Sequence, residues 1–245
     1  GWQTSVNALA ILLVLILPFC WILRALPEKI DTKKTIKTVA ASLSLIETLK
    51  LAFKTPSYIY LVVGFFTCGF HVAFVITHMP GVIAMCGLAP TVSGWSLAVI
   101  GFFNILGSLF AGWYISKRSM KVFLAYIYGA RAVIIVLFLF SSKDSFSVIA
   151  FSAALGFTYL STVPPTAALV GRMFGPKFMA TLFGLALFSH QIGAFIGAYL
   201  GGYFFDLSGD YTVVWLIDVL LAVFAALIHL PIKEVSVHEK TEVTA

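Results

Sequence analysis

Charge is scarce in this chain. Only 11% of its 245 residues are Asp, Glu, Lys or Arg, against roughly 25% in soluble domains. Hydrophobic residues make up 60%, and the mean hydropathy is +1.02. That balance excludes a water-soluble globule. Cysteine is equally sparse. Cys20, Cys68 and Cys86 have neither disulfide nor metal-ligand spacing and read as packing residues, because a free thiol behaves as a small hydrophobe. No His-Glu-x-x-His, Gly-x-Ser-x-Gly or Gly-x-x-x-x-Gly-Lys segment occurs, which argues against an enzyme of those classes and against a nucleotide-driven pump. The sequence points to no catalytic residues, no metal and no cofactor. A basic face on a soluble domain, the footprint of nucleic-acid binding, is also missing.

Long apolar runs fill the chain instead. Seven can be read: Val6–Leu23, Ser57–Met79, Val92–Ile115, Lys121–Phe140, Phe146–Ala168, Met179–Phe204 and Tyr211–Pro231. About 20 apolar residues cross the ~30 Å hydrocarbon core as a helix, and helices are required there because no water satisfies backbone N–H and C=O groups. The first run lacks the basic leader and small-residue cleavage site of a signal peptide, so it reads as a span. Lys and Arg concentrate on alternate loops. Arg24, Lys29, Lys33, Lys34, Lys37, Lys50 and Lys54 follow the first run; Lys117, Arg118 and Lys121 the third; Arg172 and Lys177 the fifth; Lys233 and Lys240 lie in the tail. Of the 16 basic residues, only Lys143 on the opposite side and Arg131 inside a run fall elsewhere. The positive-inside rule then puts the first residue outside and the C-terminus in the cytoplasm, with the +6 net charge facing an anionic leaflet.

One long loop divides the chain. Arg24–Lys37 is polar and basic, with Pro27 stopping the first helix. In Ser42–Phe53, the residues Leu45, Ile46, Leu49, Ala52 and Phe53 share one helical face. They predict a short amphipathic helix on the inner membrane surface, or the same helix packed on the bundle. The six runs that follow form two triplets of opposite orientation, the arrangement an inverted repeat produces. Small residues mark expected packing faces: Gly94, Ala98, Gly101, Ser108 and Gly112 in the third run, and Gly193, Gly197 and Gly201 in the sixth.

The segment Gly112-Trp113-Tyr114-Ile115-Ser116-Lys117-Arg118-Ser119-Met120-Lys121 resembles the signature loop of the major facilitator superfamily. Gly112, Lys117 and Lys121 match; Ser116 stands where that signature has an acid, and Ser119 where it has a Gly. The run Gly193–Tyr211, with Leu200-Gly201-Gly202, Asp206 and Gly209-Asp210-Tyr211, is similar to an ending common in bacterial members. The resemblance implies an all-α polytopic membrane bundle: a six-helix major-facilitator half plus one preceding helix. Residues 1–23 would be the last helix of an N-terminal half missing here, 24–56 a cytoplasmic linker, 57–231 the six-helix C-terminal half, and 232–245 a cytoplasmic tail. The odd number of spans, the outside start and the absence of an initiator Met fit that reading of a fragment.

Ionisable and amide groups inside spans are costly and mark candidate sites. At ~1.5 Å per residue, His71 lies about 21 Å and His190 about 17 Å from the inner end, while Asn104 and Tyr159 lie about 18–20 Å from the outer end. These four, with Gln191, fall on the helices that line the central cavity in the family, and they are the candidates for substrate binding or ion coupling. Buried interhelical hydrogen bonds are the plainer role for each. His78, one turn from the outer end, reads as interfacial. Arg131 and Asp218 lie at depths a long Arg side chain can bridge, so a structural intramembrane ion pair is expected, since a single charge in hydrocarbon is expensive. The alternative is that Asp218 titrates and couples proton entry. Pro164-Pro165 predicts a kink or a helix end in the fifth run.

The expected function is secondary active transport of a small solute by alternating access, with the lipid bilayer, the small-molecule substrate and the missing half as partners and protons as a candidate coupling ion. His71, His190 and the cationic bias of the spans favour an organic anion. The chain's general look is similar to bacterial relatives of monocarboxylate and oxalate/formate carriers, in the cytoplasmic membrane, although the second helix of this half carries neither Arg nor acid. Alternatives are a drug or cation exporter of the same fold, or a seven-helix receptor. The last span has no Lys for retinal and no Asn-Pro-x-x-Tyr ending.

Overall fold

The computed structural model describes residues 2–22 and 44–237. The basic segment Arg24–Lys37, with the Pro27 helix stop, and Lys240 of the tail lie outside them. The chain divides into two units, Gly1–Leu43 and Ser44–Ala245. In the first, α1 (Trp2–Ile22) occupies the first apolar run.

The second unit opens with α2 (Leu45–Lys54). Ser44 caps it: its hydroxyl accepts the Glu47 N–H at 3.3 Å, and its own N–H donates to the Glu47 carboxylate at 2.8 Å, a reciprocal capping box. These bonds from Ser44 hold the Glu47 carboxyl below its ordinary range. The helix packs on the bundle through Thr48 and Ala52, while Ile46 and Phe53 are exposed. Of the expected stripe, Ala52 is buried and Leu49 half-buried on the core, while Leu45, Ile46 and Phe53 stay exposed.

Six helical stretches among the described residues are long and apolar enough to cross a membrane. They are α3 (Pro56–Met85), α4 (Pro90–Ile115), α5 (Met120–Leu139), the pair α6 (Ser145–Tyr159) and α7 (Val163–Phe174), α8 (Met179–Ser208) and α9 (Thr212–His229). All described regular structure is helical, as expected. Two ends run furthest past expectation. Helix α3 continues through Pro80 to Met85, where Val82 and Ile83 are buried in the core. The fifth run reaches Phe174 because Pro164-Pro165 starts a new helix; proline's fixed φ suits a helix's first turn.

The helices pair α3 with α8, α4 with α6, and α5 with α9. Exchange of the two triplets generates these pairs: first with second, second with first, third with third. Glycine lets two of the pairs close. A Cβ on Gly193 or Gly197 of α8 would strike the carbonyls of Phe66 and Phe70 on α3, and one on Gly107 of α4 would strike the Phe157 carbonyl on α6. None of the five small residues expected to form the packing face of the third run is buried. Gly94, Gly101 and Gly112 look into open space, while Ser96, Ile100, Gly107 and Ala111 form the buried side of α4. Small residues recur at helical spacing on more than one side of α4, and composition alone does not say which side a neighbour takes.

Two apolar cores fill the bundle. One, toward the Lys117–Lys121 loop, includes Tyr58, Leu61, Phe65, Leu124, Leu169 and Met173. The other includes Phe70, Phe74, Ile135, Phe138, Phe151 and Trp215. Buried polar side chains sit where the two meet.

Candidate functional site

The fifth span is interrupted at this junction. Helix α6 ends at Tyr159, a 3-10 turn covers Leu160–Thr162, and α7 follows. Pro164 and Pro165 have no N–H, so the helical ladder cannot continue across them. The Val163 N–H bonds three residues back to the Leu160 carbonyl, which leaves the Tyr159 carbonyl without its α-helical donor. Arg131 of α5 supplies donors. Its Nη2 lies 2.6 Å from the Thr158 carbonyl and 3.1 Å from the Tyr159 carbonyl, and its Nε lies 3.1 Å from Thr158 Oγ1. Asn104 Oδ1 of α4 accepts the Leu160 N–H at 3.2 Å. Cys68 of α3 completes the junction, with Sγ 3.2 Å from Thr162 Oγ1. Backbone groups at membrane depth must be satisfied within the protein, and side chains of three other helices do so here.

Arg131 is wholly buried. The Tyr128 and Tyr159 rings flank its guanidinium at 5.0 and 5.2 Å, a cation–π setting. The expected direct pair with Asp218 does not form. Asp218 lies against His71 instead: His71 Nε2 is 3.2 Å from Asp218 Oδ1 and 3.0 Å from the Asp218 backbone carbonyl. The guanidinium is turned to the broken span, where Nε and Nη2 donate, and Nη1 does not reach Asp218. Tyr159 ties the two groups together, since its hydroxyl donates to the His71 carbonyl at 3.4 Å. His71, Tyr159 and Asp218 are all buried.

His190 and Gln191 on α8 carry the cluster outward. The half-buried His190 ring lies 5.0 Å from Phe65, with Nδ1 3.1 Å from Gln191 Oε1, and it approaches Cys68. Gln191 is exposed and Asn104 half-exposed. Helices α4 and α8 are the least enclosed of the six spans, with Phe102, Ile105, Leu109, Phe188, Phe195 and Tyr199 uncovered. The structure thus joins His71, Tyr159, Asn104, Arg131 and Asp218 around one break and sets His190 beside it. His78 is no free interfacial group: its Nε2 lies 2.8 Å from the Ala198 carbonyl, filling the space left by Gly201.

A second cluster forms at the Lys117–Lys121 loop. Gly112 has open space around it. Ser116 Oγ donates to the Trp113 carbonyl at 2.7 Å, and Lys117 lies over the Trp113 ring. A carboxylate does reach this loop, but from the tail. Glu234 accepts Ser119 Oγ at 2.6 Å and the Lys121 N–H at 2.7 Å, and its other oxygen lies 3.6 Å from Arg172. Lys121 Nζ donates to the Leu230 carbonyl at 3.0 Å.

A family model described as Major Facilitator Superfamily matches residues 86–245. The chain belongs to that superfamily. An uncharacterized MFS-type transporter, YcxA of Bacillus subtilis (strain 168), is 26% identical over 172 residues, covering 68% of this chain and 42% of its own length. Monocarboxylate transporter 12 of Xenopus laevis is 18% identical over 179 residues, covering 71% of this chain and 38% of its own. The chain therefore spans about two fifths of the curated relatives it matches. Membership in this superfamily, with six helices long and apolar enough to cross a membrane, makes the chain part of an integral membrane protein and displaces the seven-helix receptor alternative.

Three residues outside the expected set belong to these major-facilitator clusters. Cys68 touches the break. Glu234 anchors the loop. His229 is wholly buried near the end of α9, stacked on Tyr128 at 5.0 Å, with Nδ1 against the Ala225 carbonyl. A carboxylate five residues beyond a span end and a histidine within two residues of one carry no sequence signal that separates them from ordinary interfacial residues.

Proposed function

We propose that the chain is the C-terminal half of a secondary active transporter that moves a small organic anion by alternating access. The observation that carries this reading is the broken fifth span. Interrupted helices at membrane depth line substrate sites in transporters, and here the break is held by side chains of other helices and borders the accessible His190 and Gln191. The α3–α8, α4–α6 and α5–α9 pairing supports an inverted repeat, in which one half rocks against the other. The open faces of α4 and α8 supply a surface for the N-terminal half, whose last helix would be α1. The chain's share of its relatives' length fits this. An anion is favoured because the polar side chains at the break are an arginine, histidines and amides, with a single carboxylate enclosed among them. The monocarboxylate name of one relative agrees. The basic loops support a Lys117–Lys121 loop in the cytoplasm, and the Bacillus subtilis relative fits a bacterial cytoplasmic-membrane protein.

The test is transport by the full-length protein in liposomes, with labelled monocarboxylates, dicarboxylates and a lipophilic cation offered in parallel. Uptake of an anion that falls at least tenfold in Asn104→Ala or His190→Ala is the expected result. Movement of the cation alone would replace this reading by the exporter alternative. Anion uptake unaltered by both substitutions would remove the site.

A further inference from the structure

The geometry points to a proton-binding dyad formed by His71 and Asp218. Both side chains are wholly buried, on α3 and α9, and His71 Nε2 stands 3.0 Å from the Asp218 carbonyl and 3.2 Å from Oδ1. In the tautomer with its hydrogen on Nε2, that nitrogen has one hydrogen and two acceptors before it. With the hydrogen on the backbone carbonyl, neither carboxylate oxygen has a hydrogen bond among the described residues, and His71 Nδ1 has none either. A carboxylate with a purely structural role is surrounded by donors. Asp218 is not: Arg131 donates from Nε and Nη2 to Thr158 and Tyr159, and its remaining Nη1 makes no hydrogen bond to the carboxylate.

The charges reinforce this. The groups facing the dyad are Arg131 on α5 and Tyr159 on α6. Cys68, one turn from His71 on α3, faces Arg131 and His190 on α8, and Tyr128 on α5 faces Arg131 and Cys68. Without an added proton, Asp218 balances Arg131 but lacks donors. With one on Asp218, the carboxyl is uncharged and becomes a donor itself, while Arg131 stands uncompensated. Neither state satisfies every group, as a site that must both load and unload a proton requires. The reading-out element is adjacent: Tyr159 bonds the His71 carbonyl through its hydroxyl and Arg131 through its own carbonyl, so the dyad's charge bears on the broken span. Its use as a coupling site rests on the transporter reading above; its proton binding does not.

Infrared difference spectroscopy of the full-length protein in lipid tests this without any substrate. Titration from alkaline to acid pH is expected to reveal the C=O stretch of a buried protonated carboxyl. The band should vanish in Asp218→Asn, and its midpoint should move by about one pH unit or more in His71→Gln, the scale on which a neighbouring partner shifts a carboxyl. Should Asp218→Asn not fold, Asp218→Glu retains a carboxyl and is expected to displace both band and midpoint. A band unchanged in all these variants, or the absence of any buried titrating carboxyl in the wild type, overturns the assignment. A titrating band in a protein that moves no anion in the liposome assay upholds the dyad and removes only the transport reading.

Discussion

Arg131 Nη2 lies 2.6 Å from the Thr158 carbonyl and 3.1 Å from the Tyr159 carbonyl, so a fully buried cation closes the gap in the fifth span. The planar fork matters, because one guanidinium serves a hydroxyl and two carbonyls from fixed directions. Arg131→Lys keeps the charge and loses that geometry. Arg131→Met leaves buried acceptors unmet, at about 1–3 kcal/mol each. Thermal unfolding in detergent should rank wild type above Lys above Met, and transport should fall in the same order. Equal stability of all three would mean the break holds itself.

The glycine contacts predict a contrast within one bundle. Gly193→Ala forces a Cβ into the α3 backbone, and overpacking of this kind costs about 1–3 kcal/mol. Gly129 of α5 has nothing near the same position, so Gly129→Ala should gain up to about 1 kcal/mol from helix propensity. Opposite shifts in melting temperature are the expected reading.

Glu234 holds the N-terminus of α5 by accepting from Ser119 and Lys121. Glu234→Ala should cost about 1 kcal/mol, as loss of a helix cap does. Arg172→Ala should cost less, because the Arg172 side chain in this 3.6 Å pair is itself exposed and such pairs contribute about 0–1 kcal/mol. Hydrogen exchange at the start of α5 should rise in the first variant and stay near wild type in the second.

Asp144 caps α6, accepting the Ser147 N–H at 2.8 Å. That bond leads the contacts holding its carboxyl below the ordinary range. A carboxyl lowered on folding stabilises the fold fully above its unfolded value, about 3.9, and the contribution disappears as pH falls through the lower folded value. Melting temperature followed below about pH 4 should therefore drop more steeply in wild type than in Asp144→Asn, which caps without titrating.

Much of the architecture was legible beforehand because bilayer thickness sets the length of each apolar run. The six spans fall where the runs lie, and Pro164-Pro165 announced a discontinuity. The site was legible as a set of depths. His71, Arg131, Tyr159 and Asp218 were expected at similar levels and do meet. Their partners were not legible. Depth gives height along a helix axis, while partnership depends on rotation about it and on which backbone groups a break releases. The same limit explains the third run, where Gly94, Gly101 and Gly112 face outward.

By itself the amino-acid sequence determined that this is a membrane-spanning helical protein, where the six described helices long and apolar enough to cross lie, and which few polar side chains are carried into hydrocarbon. Hydropathy and chain length are additive properties of a run, so no neighbour is needed to read them. Only the tertiary structure decided that Arg131 serves the broken span, that Asp218 answers to His71, and that Glu234 brings its carboxylate to the Lys117–Lys121 loop. Those choices arise from competition among donors and acceptors on helices distant in sequence, and that competition exists only once the helices have packed.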